Sequence, residues 1–162
     1  MKKRILTLGV VLVLVSILVL PGAVLGANTT EVTGTVTEGY TFTAPSTVAL
    51  GGMAPSGTSY KANSADGRLD GNNALGYTVT GIDAKSPDKG KMVSGGNVLA
   101  NRLEISNADA DYVPADTTKT FLDTSGITGA DISLYVSQLV TYSDPVATGY
   151  TITITFTVTT KT

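Results

Sequence analysis

The clearest pattern of hydrophobic and polar positions lies near the C-terminus, between Gly149 and Thr160. Bulky apolar residues occupy every second position there, and threonines stand between them. A period of two places all the bulky groups on one face of a β-strand, whereas a helix would scatter them around its axis. The pattern therefore predicts a long strand in a sheet with one buried face and one solvated face. The apolar positions are Tyr150, Ile152, Ile154, Phe156 and Val158.

Further segments rich in β-branched and aromatic residues predict more strands along the chain. Polar and glycine-rich stretches separate them: they predict a loop or hairpin tip at Ser59–Asn73, a charged loop at Asp83–Gly96, and a turn or a single helical turn at Ser125–Asp131. The sequence thus predicts an all-β fold, an antiparallel β-sandwich of Ig-like or jelly-roll-like type with about 7–9 strands. The predicted strands are Val32–Phe42, Thr47–Leu50, Leu75–Ile82, Val98–Ile105, Thr120–Asp123, Ile132–Tyr142 and Gly149–Thr160.

The N-terminus has the three parts of a secretory signal peptide. Basic residues 2–4 precede the apolar run Ile5–Leu20, whose length of about 16 residues is less than the roughly 20 that span a bilayer. We therefore predict a signal peptide helix over residues 1–26, its removal on export, and a single secreted or cell-surface domain over residues 27–162. The alternative is a membrane anchor that is retained, because the apolar character extends to Leu25.

Charge and cysteine content restrict the partners of the exported chain. Three of the 11 basic residues belong to the signal peptide, so the remaining 8 face 13 acidic residues and the net charge is −5. Nucleic acids and anionic membranes attract basic surfaces, so neither is an expected partner of the processed chain. Because there is no cysteine, the fold depends on its apolar core and not on disulfides.

The residue types present exclude most catalytic machinery. The chain has no histidine and no cysteine, which removes Ser-His-Asp and Cys-His nucleophiles and zinc sites built on imidazole or thiolate. A carboxylate pair for glycoside hydrolysis remains formally available, but the acidic residues lie mostly in turn-rich segments and not in an apolar cleft that would raise a carboxyl pKa. We therefore predict a protein without enzymatic activity or a required cofactor.

One acidic loop has the spacing of a cation site. Asn107, Asp109 and Asp111 stand at alternate positions, and oxygen ligands spaced in this way suit Ca²⁺. However, Tyr112 stands where a calcium loop needs glycine, and Thr118 stands where a bidentate Glu would close the site. The three residues are a candidate calcium site, and an ordinary polar loop is the preferred alternative.

A glycosylation motif follows the predicted cleavage site. Asn28, Thr29 and Thr30 form an N-x-[ST] sequence on a segment expected to be exposed. Asn28 is therefore a candidate glycosylation site, although such a short pattern also arises by chance in a chain rich in Asn and Thr.

Four segments carry a resemblance to a known family: Val32–Val36, Gly76–Val79, Leu139–Pro145 and Gly149–Phe156. Together they resemble the WxL-like surface domains of Gram-positive bacteria and their relatives in archaeal surface proteins. This chain has no tryptophan, and Tyr77 and Tyr142 stand where the family has one. The resemblance implies an exported, non-enzymatic β-sandwich at the cell surface, such as an envelope-binding or carbohydrate-binding module that acts as a monomer.

The two terminal strands suggest self-assembly as a second function. Neither end carries the internal lysines or prolines that protect edge strands from pairing with other chains. We expect a filament, pilus or surface layer in which Val32 and Val36 of one subunit enter a groove of the next, while other cell-surface components remain alternative partners. The alternative structure has the two terminal strands paired with each other inside one domain. The predicted groove residues are Ile152, Ile154 and Phe156.

Overall fold

Strands account for all of the regular secondary structure in the computed structural model, which describes residues 33–64, 66–85, 87–126 and 128–162. Within these residues there are twelve strands and no helix, so the predicted all-β class is confirmed. The chain divides into two units after Thr35, and every strand belongs to the second. The strands are β1 (Tyr40–Thr43), β2 (Tyr60–Asn63), β3 (Gly67–Gly71), β4 (Tyr77–Ile82), β5 (Val93–Ser94), β6 (Asn97–Val98), β7 (Glu104–Ser106), β8 (Val113–Pro114), β9 (Lys119–Asp123), β10 (Thr128–Ile132), β11 (Tyr135–Gln138) and β12 (Thr155–Thr160).

The first layer consists of two successive sheets, with strand orders β1-β3-β10 and β2-β11-β7-β8. Strands β2 and β3 follow each other along the chain, as do their antiparallel partners β11 and β10. Between the two pairs, the Ser64 N–H donates to the Leu134 carbonyl at 2.9 Å, and the Leu134 N–H donates to Ser64 Oγ at 3.0 Å. These two bonds link the sheets where the strands are interrupted.

The second layer is the sheet β12-β4-β9, and the short hairpin β5–β6 adjoins it. Phe42 of β1 and Phe156 of β12 have ring centroids 6.2 Å apart, so the two layers face each other as in a sandwich. Phe121 of β9 meets Phe156 edge to face at 5.0 Å. The buried apolar core consists of Leu69, Tyr77, Val79, Met92, Leu99, Leu103, Ile105, Ala115, Phe121, Ile132, Leu134, Val136 and Val140.

Tyr77 is the largest fully buried side chain, and it joins the two layers. Its hydroxyl donates to the Gly39 carbonyl at 3.0 Å and accepts from the Asn73 N–H at 2.9 Å. A Cβ atom on Gly71 would lie 2.5 Å from the Tyr77 ring, so only glycine fits opposite it. The Tyr77 ring can therefore be buried because its hydroxyl has two hydrogen-bond partners and because Gly71, across the sandwich, has no side chain.

Several predicted strands are present with small changes in their bounds. β4 lies within Leu75–Ile82, and β9 covers Thr120–Asp123 with one residue more. The segment Gly149–Thr160 alternates between half-buried apolar residues and exposed threonines, except for the half-buried Thr160, but its ladder with β4 covers only Thr155–Thr160.

Two segments predicted as loops are largely strands. Ser59–Asn73 contains β2 and β3, and Ser125–Asp131 contains most of β10. Their polar residues lie on the exposed face, where Arg68 of β3 pairs with Asp131 of the neighbouring β10 at 2.9 Å. Leu69, between the charged residues of β3, is fully buried. The loop prediction was wrong because these strands alternate charged residues with few apolar ones.

The predictions for the N-terminal part were only partly right. Of Val32–Phe42, the strand covers Tyr40 to Phe42 and continues to Thr43, whereas residues 33–39 are not in a strand. Thr47–Leu50 is not a strand either. β1 pairs with β3 and β12 pairs with β4, so the suggested pairing of the two terminal strands with each other is wrong for the described residues.

Candidate functional site: the open edge of the last strand

β12 is an edge strand, and its outer edge is unpaired in the described part of the chain. The Lys161 N–H donates to the Gly76 carbonyl at 3.1 Å, and Thr151 exchanges two backbone bonds of 2.9 Å with Val93. Successive residues of a strand point their backbone groups in opposite directions, so the odd-numbered residues face β4 and the β5–β6 hairpin. The even-numbered residues of the segment 150–160 therefore turn their N–H and C=O groups toward the open edge.

An apolar groove of about 320 Å³ lies beside this segment, and we call it the edge groove. Ile152, Ile154 and Phe156 line one wall, so the structure brings together the three residues that the sequence predicted for an acceptor groove. Leu134 and Val136 line the opposite wall. The sequence analysis did not connect these two with the groove, because nothing in the local pattern shows that β11 lies across from the last strand.

The segment 44–50 covers the edge groove without forming a ladder with it. Pro45 has no N–H to donate, and the chain passes so close to Gly67 that a Cβ there would lie 2.5 Å from the Pro45 nitrogen. Beyond the point where Pro45 passes Gly67, no β-bridge joins the segment 44–50 to residues 149–160 in the described structure. The strand position next to the open edge is therefore not filled by this segment.

A second cavity of about 610 Å³ continues from the edge groove, and we call it the end slot. Its sides are the segments 48–55 and 144–150, apart from Ala54. Met92, Leu99 and Val140 form its floor, and all three are buried core residues. Because Met92 also lines the edge groove, the two cavities form one apolar trough.

The carboxylate at the rim of the end slot is already satisfied. Asp144 accepts hydrogen bonds from the N–H groups of Ala100 and Thr141 and from the Thr141 hydroxyl. Burial opposes its ionisation, but these hydrogen bonds outweigh burial and hold the pKa of Asp144 below its usual value. The trough therefore offers an apolar surface, and the carboxylate at this rim already has its hydrogen-bond donors.

The proposed donor segment is exposed where the structure describes it. Val36 is 88% exposed, while Val32 lies outside the described residues. From Thr37 onward the chain is held in place, because the Asn72 amide donates to the Thr37 carbonyl at 3.0 Å and accepts from the Gly39 N–H at 2.7 Å. The predicted signal peptide, residues 1–26, and Asn28 also lie outside the described residues.

The side chains of two of the three candidate calcium ligands have separate partners. Asp109 pairs with the Lys61 ammonium at 2.8 Å and accepts from the Tyr112 hydroxyl at 2.7 Å. Asn107 donates to the Phe121 carbonyl at 3.5 Å. Asp111 has a left-handed backbone with φ of 50°. In the described ranges, no three acidic, histidine or cysteine side chains are grouped as a metal site requires.

The contacts between Lys61, Asp109 and Tyr112 shift the pKa of both Asp109 and Tyr112. The hydrogen bond from Lys61 lowers the pKa of Asp109, with a further contribution from Tyr112. Burial, and then the hydrogen bond to Asp109, raise the pKa of Tyr112 to about 12. The Lys61 ammonium also lies 4.9 Å from the centre of the Tyr112 ring. The loop is thus held together by protein groups that neutralise its aspartate.

No family model matches the chain, and no curated protein matches it. The described residues contain no helix that is long and apolar enough to cross a membrane.

Proposed function

We propose that this chain is an exported, non-enzymatic structural protein that assembles with copies of itself into an extracellular filament, pilus or surface layer. Assembly occurs by β-strand complementation, in which the segment Val32–Val36 of one subunit pairs with the open edge of the last strand in the next. The observation that carries the proposal is the open edge beside a groove lined by Ile152, Ile154 and Phe156.

The donor segment has the alternation that this edge requires. Val32, Gly34 and Val36 lie on one side of an extended chain, and threonines lie on the other. The valines would enter the edge groove while the donor threonines continue the exposed threonine face of β12. A strand added in this way gains backbone hydrogen bonds over its length and apolar contacts at every second residue.

Side-chain burial and backbone pairing would both stabilise the assembly. Full burial of a valine side chain stabilises by about 1.5–3 kcal/mol. Each backbone hydrogen bond adds about 0.5–1.5 kcal/mol. A donor that buries Val32 and Val36 and pairs with several open backbone groups therefore offsets a substantial part of the entropy lost on association.

The test is a deletion of residues 27–36, which ends before the part of the chain that Asn72 holds and before β1. The shortened protein should stay folded and lose polymerisation, as seen by negative-stain microscopy and circular dichroism. It should then bind a synthetic peptide of residues 31–38, and a control peptide with Val32→Lys and Val36→Lys should not bind. Full-length protein that remains monomeric at high concentration would overturn the proposal.

Export has its own test. N-terminal sequencing of the natural protein should begin at Ala27. A chain that begins at Met1 would instead indicate a membrane-anchored protein.

A second candidate function is a monomeric WxL-like module that binds the cell envelope or a carbohydrate. Tyr142 favours it, because an aromatic ring that is 90% exposed offers a flat surface to a sugar. In this case the monomer should sediment with isolated cell envelopes, and Tyr142→Ala should release it. Sedimentation that is unaffected by the substitution would count against this role of Tyr142.

A further inference from the structure

The large apolar side chains that are exposed in the described residues all lie at the two ends of β4. Val36, Tyr40 and Leu75 lie at the end where β4 begins, which we call the tail end. Tyr77 is the first residue of β4. Its hydroxyl donates to the Gly39 carbonyl, and its ring packs against Tyr40 at 5.7 Å, so the segment that contains Tyr40 lies at this end of β4.

The other exposed apolar residues lie at the opposite end, which we call the head end. Tyr142 is 90% exposed, and Val146 is fully exposed beside the end slot. The Ser94 hydroxyl donates to the Thr148 carbonyl at 2.6 Å, which ties this loop to the β5–β6 hairpin beyond the last residue of β4. Exposed apolar groups confined to two unlike ends are typical of surfaces that bind each other.

The charges of the two ends are complementary. At the head end, Lys85 and Lys89 are exposed and have no ion-pair partner among the described residues. At the tail end, Glu38 is exposed beside Asn73 and has no ion-pair partner among the described residues. Opposite charges on two surfaces favour and orient their encounter.

The end slot and the donor segment also agree in polarity. The carboxylate of Asp144 already accepts hydrogen bonds from two backbone N–H groups of its own chain, so this rim of the slot does not need a donor from a bound segment. The donor segment, residues 32–36, has no charged residue. An uncharged segment of a second copy therefore fits the trough better than a charged peptide would.

We infer that copies of this chain stack head to tail, and that the donor segment of one copy runs antiparallel to the last strand of the next. Val36 then lies opposite Ile152, Gly34 opposite Ile154, and Val32 opposite Phe156. The inference rests on the proposed function and adds the partner surface, the strand direction and the register. Because head and tail are different surfaces, the contact is heterologous, and it propagates as a filament when the rotation between copies does not close a ring.

The direction follows from where the donor leaves its own subunit. In each copy, Val36 lies at the tail end. A neighbour whose tail end is stacked on the head end of the first copy therefore brings its Val36 to the end slot. Its chain then continues toward its own N-terminus along the edge groove, past Ile152 and on to Phe156. The four residue steps from Val32 to Val36 span about 13 Å when extended, as do the four steps from Ile152 to Phe156.

Closure of the groove by the donor of the same chain would have the opposite geometry. That segment would start near the last residues of β12 and run parallel to the strand, which would place Val36 near Val158. Strand direction therefore separates assembly between copies from closure within one copy.

Engineered cysteines test the register, since the natural chain has none. Full-length Val36→Cys is mixed with full-length Ile152→Cys under mild oxidation, and disulfide-linked dimers are measured on non-reducing gels. Val158→Cys is the matched control, because it lies on the same half-buried face of the same segment. Residues opposite each other in a ladder have Cα atoms about 5.5 Å apart, within disulfide range, so the Ile152 pair should give about ten-fold more dimer than the Val158 pair.

Two outcomes would overturn the inference. The first is equal or greater cross-linking to position 158 between copies. The second is an internal disulfide in the double variant Val36→Cys with Val158→Cys. If either occurs while the full-length protein still forms polymers, the proposed function stands and the head-to-tail register fails. If the full-length protein forms neither polymers nor cross-links, both fail.

A substitution at the head end gives an independent readout. Val146→Asp places a charge on a fully exposed side chain beside the end slot, so the fold should be unaffected while polymer length falls. Thr159→Asp, on the exposed face of β12, is the control and should leave polymers unchanged. Equal polymerisation of both variants would exclude the end slot from the interface.

Discussion

The two halves of the segment Gly149–Thr160 share one alternating pattern but have different surroundings. Thr155–Thr160 pairs with β4 along its whole length, and its Phe156 packs against Phe121 across the sheet. The preceding residues have a single bridge, Thr151 to Val93, and lie beside the edge groove. Alternation therefore decides which face of a strand is buried, whereas pairing depends on the neighbour that the fold supplies.

A second contrast concerns two tyrosines that the alternation places on apolar faces. Tyr77 is fully buried, and its hydroxyl has two partners inside the sandwich. Tyr150 is half-buried at the end slot, and its hydroxyl donates to the nearby Pro145 carbonyl at 2.6 Å. The same type of substitution should therefore change the free energy of unfolding more in the fully buried core than at the half-buried lining of the trough.

The largest difference is expected for isoleucines in the two regions. Ile105 is fully buried, so Ile105→Ala should lower the free energy of unfolding by about 3–4 kcal/mol. Ile154 is half-buried at the groove, and Ile154→Ala should cost only about 1 kcal/mol. Urea unfolding of the monomer measures both values. Equal losses would mean that the trough is as well packed as the core.

A substitution that overfills the core comes next. Gly71→Val would place atoms within 2.5 Å of the buried Tyr77 ring, and we expect a loss of about 2–3 kcal/mol in urea unfolding. Gly96 has no atom within 4 Å of an added Cβ, so Gly96→Val serves as the control, with an effect of about 0.5 kcal/mol. A tolerated Gly71→Val would show that Tyr77 moves easily.

Removal of the two hydroxyls gives a smaller contrast. Tyr77→Phe leaves the Gly39 carbonyl and the Asn73 N–H without their partner inside the sandwich, which should cost about 1–2 kcal/mol. Tyr150→Phe removes one bond near the surface and should cost about 0.5 kcal/mol. Thermal unfolding of both variants tests the order, and the reverse order would contradict the contrast.

The smallest effect is a pH dependence at the rim of the trough. The pKa of Asp144 is lowered in the folded state, so its contribution to stability is present above its unfolded pKa of about 4 and is lost as pH falls through the lower folded value. Asp144→Asn should flatten this acid-side decline in the free energy of unfolding. A decline of unchanged slope would show that other carboxylates cause it.

The chemistry of the acidic loop illustrates a limit of spacing arguments. Asn107, Asp109 and Asp111 have the alternate spacing of cation ligands, but Lys61 lies 48 residues away and forms an ion pair with Asp109. That contact exists because β2 pairs with β11, which also pairs with β7, and the chain enters the loop directly after β7. No local pattern in the sequence could indicate it.

The sequence by itself determined the class of the fold and the inward face of its best strands, because a period of two in β-branched and aromatic residues has one favourable arrangement. It also placed Ile152, Ile154 and Phe156 on one apolar face. Only the tertiary structure decided that Leu134 and Val136 form the facing wall, that β2 and β3 are strands, and that the last strand has an open edge. These features depend on which segments meet across the sandwich, and pairing between distant segments is not encoded in local periodicity.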